Sequence, residues 1–423
     1  MFHLRRQLAL LVLVAVSVFS LTGFGCREKP IISGNTNLVV WGLWHNEETM
    51  GPVVKAFTEQ TGIEVEYRLI NSVASYEQDL LEAIATGKGP DVFIIHHTWI
   101  EDKLSLLSPA PDDVITSRQL QDEFVDVVAR DVVRDGQVYA LPVSVDTMAM
   151  YYNKDILNAN SIARPPRTWN DFQQMVERIT RVDRLGHLQQ SAAAIGTSAN
   201  INRASDIMQL LLLQSGLPIY DSSQNQIEIN NEVGQRAFTF YTDFANKSKS
   251  VFTWNLQADY SIDAFSEGET AVMFNYSYHA PTIKAKNPRL NFGVAPMPQI
   301  ADTANTKRVN FAAYWPFTVS SRSQKPAAAW QFIRYITGSN ASYILNNAIS
   351  SPPARRDSVI QFQNDPTLGV FAEQSLTAAT WQRHGGTSVD SIFNTAIDSI
   401  VNGSATVADA TRRAEEQLAR LYE

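Results

Sequence analysis

The chain has 423 residues, enough for two or three domains with apolar cores of their own. Hydrophobic residues make up 44% and charged residues 18%, which excludes a disordered or collagen-like chain, and a net charge of -8 without a basic run argues against nucleic acid as a partner. The single cysteine excludes an intramolecular disulfide and every metal site that needs several cysteines.

The first 26 residues have the layout of a secretory signal peptide. Arg5 and Arg6 precede an uncharged run over residues 8–25, and Cys26 follows it directly. Because a run of 18 residues is at the lower limit for crossing a bilayer, an uncleaved anchor is a competing interpretation, and a structural cysteine is a third. With either a signal peptide or an anchor, the rest of the chain lies outside the cytoplasmic membrane. We predict a signal peptide over residues 1–25.

Cys26 and its neighbours resemble the lipobox of bacterial lipoproteins. The resemblance implies that Cys26 becomes a lipid-carrying N-terminus at the outer face of the membrane. Gly25 suits the position before the cysteine, whereas Gly23 and Phe24 depart from the pattern. Residues 26–37 are polar and rich in turn formers, so we predict that they are the lipidated cysteine and its tether.

The next 60 residues or so alternate between strand and helix patterns. Short apolar runs are typical of buried strands, and apolar side chains at helical spacing stop at a glycine, Gly62, in the first helix. Strands that alternate with helices predict parallel βαβ units and an α/β fold. The predicted elements are strands at 38–41, 63–67 and 92–95 and helices at 47–61 and 76–86.

Helix signals continue in the rest of the chain. Thr168 with Asp171 three residues later is a variant of the capping box, and Thr406 with Asp409 stands in the same relation. The patterns predict helices that begin at these two caps, further helices at 204–215, 232–246 and 325–337, and strands at 138–142 and 148–152.

Seven segments stand in a characteristic order along the chain. They are the motif F-x-x-x-T-G-I-x-V at 57–65, G-x-x-P-D-V at 87–92, GQVYALPVSVDTMAMYYNKDIL at 136–157, PPRTWNDF at 165–172, FSEGETAVMFNYSY at 265–278, NFGVAPMP at 291–298 and SSPPARRD at 350–357. In this order they resemble the extracellular solute-binding proteins of family 1, the maltose-binding-like receptors of ABC importers, and the resemblance extends over nearly all of residues 37–423. The chain departs from the family at 275–278 and 311–315, where relatives carry glycines or a tryptophan.

The resemblance implies an α/β protein of two lobes, a type II-like periplasmic-binding-protein fold with hinge crossovers and a ligand cleft between the lobes. Each lobe is expected to be discontinuous in sequence. We expect one lobe to hold residues 38–147 and 262–312. We expect the other to hold residues 148–261 and 313–423.

A sugar presents hydroxyls at its edge and C–H groups on its faces, so a receptor needs flat aromatic rings and polar side chains. Several aromatic residues stand in polar, loop-like surroundings. The family resemblance favours Trp44, Trp254 and Tyr278 among them as ligand contacts. His45, Asn46 and His97 follow predicted strands whose carboxyl ends face the crevice of an α/β sheet. The resemblance also places a ligand-facing acid, Asp146, near a crossover. The ligand candidates are Trp44, His45, Asn46, His97, Asp146, Trp254, Tyr276, Tyr278, Tyr314, Trp315 and Arg355.

Other functions find less support in the sequence. Adjacent histidines at 96 and 97 point to opposite sides of an extended chain, and no H-E-x-x-H motif occurs, so we expect no metal. The nucleophile elbow, the P-loop and the dinucleotide fingerprint are also absent from the sequence, so we expect neither a cofactor nor an enzyme. A carboxylate pair across the cleft would still allow a secreted carbohydrate-active enzyme. A receptor for a polyamine, a metal or a phosphosugar, and a surface scaffold, also stay open.

We therefore predict a monomeric substrate-binding lipoprotein on the extracytoplasmic face of a bacterial membrane. It would capture a carbohydrate-type solute by closure of its lobes and pass it to the permease subunits of an ABC importer. The acidic, aromatic-rich composition predicts an uncharged or cationic oligosaccharide or a polyol as the solute. We expect no nucleic acid partner.

Overall fold

The computed structural model describes residues 37–303 and 307–423. The predicted signal peptide, the lipidation of Cys26 and most of the tether fall outside these residues. Within the described part, none of the helices has the length and apolar character needed to cross a membrane.

The described part contains both helices and short strands throughout. The helices are α1 (Glu47–Thr61), α2 (Val73–Ala85), α3 (Ile100–Lys103), α4 (Ser117–Glu123), α5 (Asp126–Val132), α6 (Lys154–Ala159), α7 (Trp169–Ile179), α8 (Ala204–Gln214), α9 (Glu232–Asp243), α10 (Ser261–Glu267), α11 (His279–Lys286), α12 (Pro326–Ile336), α13 (Ser339–Ile349), α14 (Arg356–Phe362), α15 (Leu368–Ser375), α16 (Thr387–Val401) and α17 (Val407–Ala419). The strands are β1 (Asn37–Gly42), β2 (Glu64–Leu69), β3 (Val92–Ile94), β4 (Leu107–Ser108), β5 (Val133–Arg134), β6 (Gln137–Val138), β7 (Asp146–Thr147), β8 (Ala149–Asn153), β9 (Arg181–Val182), β10 (Leu188–Ala193), β11 (Tyr220–Asp221), β12 (Gln226–Ile227), β13 (Thr270–Asn275), β14 (Phe292–Ala295), β15 (Asn310–Ala313), β16 (Phe317–Ser320) and β17 (Ala378–Ala379).

Local signals in the sequence explain where several helices begin and end. Thr168 and Asp171 form the predicted capping box of α7, and the Thr406 side chain accepts from the backbone of Asp409 at the start of α17. Gly62 ends α1 with a left-handed φ of 73°, which glycine adopts without steric cost. These predictions are confirmed.

The described residues form two lobes, each built on a five-stranded sheet. The sheet of lobe 1 has the order β2-β1-β3-β16-β4, in which β1 pairs in parallel with β2 and β3 and β16 runs antiparallel to both neighbours. The sheet of lobe 2 has the order β14-β8-β13-β10-β9, with β10 and β13 parallel and β8 antiparallel to β13 and β14. The predicted α/β, two-lobed architecture is confirmed.

Strand pairing corrects the predicted composition of the lobes. The segment 262–312, expected in lobe 1, supplies β13 and β14 to lobe 2, while β16 from the segment 313–423 lies inside the sheet of lobe 1. The apolar core of lobe 1 gathers residues from 38–145 and 312–354 together with Ala378, and that of lobe 2 gathers the other core residues from 148–311 and 359–418. Both β13 and β16 are wholly buried strands, so their local pattern does not reveal which sheet they join.

The chain passes between the two lobes near residues 146, 312 and 355. The first two crossings pair with each other, because β7 runs antiparallel to β15 in a three-stranded sheet that β17 completes. This small sheet holds the two lobes together at one side, as a hinge between them requires.

Candidate functional site

Loops that follow the parallel strands of both lobes meet between the lobes. In lobe 1, Trp44 follows β1 and His96 follows β3. In lobe 2, Arg203 lies at the end of the connection after β10, and Tyr276 to Tyr278 follow β13. Ligands of open α/β sheets bind beyond the carboxyl ends of the strands, so this is the candidate binding site.

Lobe 1 contributes an aromatic wall, which consists of Trp44, His96, Trp99 and Trp315. Trp315 lies at its centre, with ring centroids 5.3 Å from Trp44, 5.0 Å from His96 and 4.9 Å from Trp99, all close to edge-on. Edge-to-face pairs at these distances are favourable for aromatic rings. Trp44 remains 47% exposed, so this wall presents a flat apolar face to solvent.

His96 adds one polar group to the aromatic wall. Its Nδ1 lies 2.6 Å from the Thr98 hydroxyl and 3.4 Å from the Thr98 backbone nitrogen, so Nδ1 acts as the acceptor and Nε2 carries the proton. Burial lowers the pKa of His96 well below its usual range, and the charges of His97, Arg383 and Arg203 lower it further. His96 is therefore neutral at physiological pH, and the two arginines reach it from lobe 2.

Lobe 2 contributes a charged wall, which consists of Arg203, Asp206, Tyr276, Tyr278 and Arg383. The rings of Tyr276 and Tyr278 stack with an interplanar angle of 12°, and the Arg203 guanidinium lies 5.5 Å and 6.0 Å from their centroids. Arg203 also donates to the Tyr278 hydroxyl, while the Tyr276 hydroxyl donates to buried Asp206 over 2.9 Å. Tyr278 is 45% exposed, and the Arg203 side chain is exposed too.

Arg383 extends the charged wall beside Trp381. It donates to Asp390 and to the carbonyl of Gly386, and its guanidinium lies 6.0 Å from the Trp381 ring. Arg383 is only 6% exposed, yet its Nε has no hydrogen-bond partner among the described residues. A buried donor of this kind is costly unless a ligand or water satisfies it.

Each wall includes a residue with strained backbone. Trp44 and Arg203 both adopt a left-handed φ, 61° and 66°, although neither is a glycine. Such conformations cost energy and occur preferentially at binding and catalytic sites. Among the described residues, five other non-glycine residues with left-handed φ lie outside both walls: Asp135, Ser161, Ile219, Asn225 and Ser350.

Two sets of hydrogen bonds join the lobes beside this space. Asp102 of lobe 1 accepts from His384 Nδ1 over 2.9 Å and from the Gly385 backbone over 2.8 Å. Buried Asp131 of lobe 1 accepts from the Thr380 hydroxyl, and it also accepts from Tyr314. The lobes are therefore already in contact on the side of residues 380–386.

Asp146, a predicted ligand contact, uses its carboxylate on the protein itself. One oxygen accepts from the Ser277 backbone over 2.9 Å and from the Ser277 hydroxyl over 2.7 Å. The other accepts from the backbone of Thr147 over 2.8 Å. Burial raises the pKa of Asp146 to about 7, against the hydrogen bonds from Ser277, Thr147 and Tyr278 that favour the charged form.

Trp44 and Tyr278 are the predicted contacts that the structure exposes between the lobes, and Trp315 is half-buried in the aromatic wall. Other candidates are buried within one lobe. His97 stacks on Tyr314 at 4.6 Å, and both contact Asp131. The Tyr276 ring is wholly buried beneath Tyr278.

Trp254, His45, Asn46 and Arg355 serve local structure. Trp254 is 1% exposed in the core of lobe 2 and donates to Asn200 over 3.1 Å. Asn46 caps α1, and Arg355 is clamped by Glu123 and Asp357. His45 is buried, with no hydrogen-bond partner for either ring nitrogen among the described residues, and burial lowers its pKa to about 4.

Sequence reasoning missed Arg203, Asp206 and Arg383. Arg203 and Asp206 stand at the start of a helix whose other residues are almost all buried, so the pattern predicted only core. A charged pair in an otherwise apolar helix was the available signal, because charges are rarely buried without a partner or a function.

A metal site is not part of this arrangement. Among the described residues, Asp259, Glu267 and Glu269 form one group that could hold an ion, but all three are exposed and belong to neither wall. Exposed acidic groups of this kind are common without a metal.

The bacterial extracellular solute-binding protein model matches residues 44–341. This chain belongs to that family. The solute-binding protein is 26% identical over 310 residues to a maltotriose-binding protein of Pyrococcus abyssi, an alignment that spans 67% of this chain and 61% of the relative's length. It is 24% identical over 372 residues to a probable ABC transporter-binding protein of Deinococcus radiodurans, which covers 82% of this chain and 83% of the relative.

Solved structures support the fold of the solute-binding protein. The sugar-binding protein MalE of Xanthomonas citri matches 92% of this chain and 97% of its own with a TM-score of 0.77 and 19% identity. At this identity the likeness concerns the fold. Membership of an extracellular family places the solute-binding protein outside the cytoplasmic membrane and among transport binding proteins.

Proposed function

We propose that this solute-binding protein captures a carbohydrate between its two lobes and delivers it to the permease of an ABC importer. The observation that carries the proposal is the facing pair of walls, with exposed Trp44 on lobe 1 and exposed Tyr278 and Arg203 on lobe 2. Aromatic faces suit the C–H faces of a sugar, and a guanidinium suits its hydroxyls. The relative named for maltotriose binding supports the same ligand class.

Lobe closure is the mechanism that we propose. A ligand that touches both walls has more contacts when the lobes approach, so it shifts the population toward the closed state. The three crossovers allow this motion, because they are grouped near the β7-β15-β17 sheet. The closed form then docks on the permease as a monomer, and binding takes place without catalysis.

A lipid anchor at Cys26 completes the proposal. A receptor tethered to the outer face of the membrane stays close to the permease, which raises its effective concentration there. Mass spectrometry of the protein from membranes tests the anchor: a diacylated N-terminal cysteine supports it, and an intact residue 1–25 segment contradicts it.

A thermal-shift screen tests the ligand class. We expect maltotriose or maltotetraose to stabilise the protein, by about 2.7 kcal/mol at 100 times the dissociation constant. The matched control is Tyr278→Ala, which should remove most of that shift. Stabilisation by polyamines or divalent cations alone would reject a carbohydrate ligand, and hydrolysis products in the same wells would indicate an enzyme.

One observation favours a second ligand class, a sugar that carries an anionic group. Arg203 uses one N–H group on Tyr278, and no carboxylate lies within ion-pair distance of it among the described residues. Its other donors are free to bind a carboxylate or phosphate in bidentate fashion. Glucuronate and glucose 6-phosphate in the same screen separate this class from neutral sugars.

A further inference from the structure

The turn that carries the two stacked tyrosines is fastened to the first crossover. Ser277 lies between Tyr276 and Tyr278, and both its backbone N–H and its hydroxyl donate to Asp146. Asp146 belongs to β7, the strand that leads from lobe 1 into lobe 2. The Asp146 carboxylate thus links the first crossover to the charged wall.

Fixing Ser277 also fixes its neighbours. The Tyr278 hydroxyl accepts from Arg203, so the position of the turn sets where the guanidinium points. Tyr151 provides a second attachment, since its hydroxyl donates to the Tyr276 carbonyl over 2.7 Å. The Tyr151 hydroxyl also contacts the Ser277 carbonyl over 3.4 Å, whereas the N–H and the hydroxyl of Ser277 both donate to Asp146.

The strength of this attachment depends on the charge of Asp146. An ionised carboxylate accepts all of these bonds as charge-assisted hydrogen bonds, whereas a protonated one has a weaker acceptor and a hydroxyl that needs its own partner. Burial raises the pKa of Asp146 to about 7, so the change of charge falls near neutral pH.

Few other titratable groups lie near Asp146. The titratable groups beside Asp146 are Tyr151 on β8 and Tyr278 on the turn, and burial raises the pKa of both. Asp206 lies beyond Tyr276 and also has a raised pKa, first because of burial. His279 follows the turn, and burial lowers its pKa to about 4.

We propose that Asp146 is a positioning residue, which holds the 276–278 turn in its binding-competent position when it is ionised. The inference rests on the proposed function for its effect on affinity, although the attachment itself does not. The hydrogen bonds from Ser277 favour the ionised carboxylate, so raising the pH to 8 ionises Asp146 and strengthens these bonds, even though burial of the charge makes the folded state as a whole less stable as the pH rises toward about 7.

Hydrogen–deuterium exchange of the unliganded protein tests the attachment. Exchange rates of a 274–280 peptide, corrected for intrinsic chemistry, should fall at least threefold between pH 6 and pH 8 in the native protein. Asp146→Asn should abolish that change, and Asp113→Asn, at an exposed residue of lobe 1, should leave it intact. A native pH step that persists in Asp146→Asn would overturn the proposal.

Calorimetry with maltotriose adds the functional readout. Affinity should rise about fivefold from pH 6 to pH 8, and the rise should disappear in Asp146→Asn and shrink in Ser277→Ala. If Asp146→Asn misfolds, Ser277→Ala, which keeps the fold of β7, still decides the matter through the exchange measurement. A turn that tightens without any sugar binding would reject the proposed function but support the positioning role. An equal pH profile in native protein and Ser277→Ala would contradict that role.

Discussion

The two walls of the cleft are built from different chemistry. The aromatic wall of lobe 1 presents Trp44 and Trp315, with neutral His96 as its polar group. The charged wall of lobe 2 presents tyrosines whose hydroxyls are engaged by Arg203 and Asp206. One wall can stack on a sugar but orient it only weakly, whereas the other can select among hydroxyl patterns. Under the proposed function, we expect affinity to be shared between the lobes and specificity to reside mainly in lobe 2.

The largest expected effect concerns His45, which follows Trp44 of the aromatic wall in sequence. His45 is buried directly after Trp44, and burial lowers its pKa to about 4, below its usual value of 6.5. The unfolded chain therefore binds the proton more readily, and stability present above pH 6.5 is lost as the pH falls toward 4. The loss should reach about 3 kcal/mol.

Urea unfolding at pH 7.5 and pH 4.5 measures this loss. His45→Gln should show a smaller acid loss than the native protein, because glutamine gains no proton. His187→Gln, at an exposed histidine, is the matched control. Equal acid sensitivity in His45→Gln and native protein would contradict the expectation.

Removing the cation of the charged wall should have the next largest effect. Arg203→Met keeps the length of the side chain but loses its charged hydrogen bonds, so affinity for the ligand should fall by about 2 kcal/mol, or about 30-fold. Arg289→Met, at an exposed arginine, serves as the control for calorimetry. Unchanged affinity would mean that lobe 2 does not orient the ligand.

Truncating the aromatic wall should lower ligand affinity less, since Trp44 is half exposed and, under the proposed function, would contact the ligand only by stacking. Trp44→Ala should reduce affinity by about 1 kcal/mol with little change in selectivity between sugars. Leu256→Ala removes an equally exposed apolar side chain outside both walls. A change in the rank order of sugars for Trp44→Ala would show that the aromatic wall also selects.

The smallest effect should come from the hydrogen bonds by which Asp102 joins the two lobes. Asp102→Asn weakens the bonds to His384 and Gly385, both at the surface, so affinity should fall by about 0.5 kcal/mol through a less stable closed state. The exposed Asp113→Asn is the control in the same titration. A gain in affinity would indicate that the hydrogen bonds of Asp102 hinder ligand binding.

Local features of the fold could be predicted from the sequence. The Thr168 and Thr406 caps and the stop at Gly62 depend on residues three or fewer positions apart, and all appear as predicted. The division into lobes could not be derived in this way. Whether β13 and β16 join one sheet or the other is decided by pairing with strands 79 or more residues away in sequence, which no local pattern records.

The candidate site was predictable only at its exposed aromatic residues. Trp44 and Tyr278 stand in polar loops, which favours exposure, and both are exposed. His97 and Tyr314 stand in similar loops, but they are buried because Asp131, far away in sequence, satisfies both. Arg203 was missed because the stacked tyrosines that hold it come from another segment of lobe 2. Their role in ligand binding stays a prediction for all of these residues.

The position of β16 has a consequence for the order of folding. This strand lies between β3 and β4, so the sheet of lobe 1 has an open gap until residue 320 has been synthesised. Contacts that close over such a long stretch of chain form slowly, and an incomplete sheet gains little stability on its own. We therefore expect the sheet of lobe 1 to be completed only after residue 320 has been synthesised. Such a delay would favour export of an extracytoplasmic protein before lobe 1 has folded.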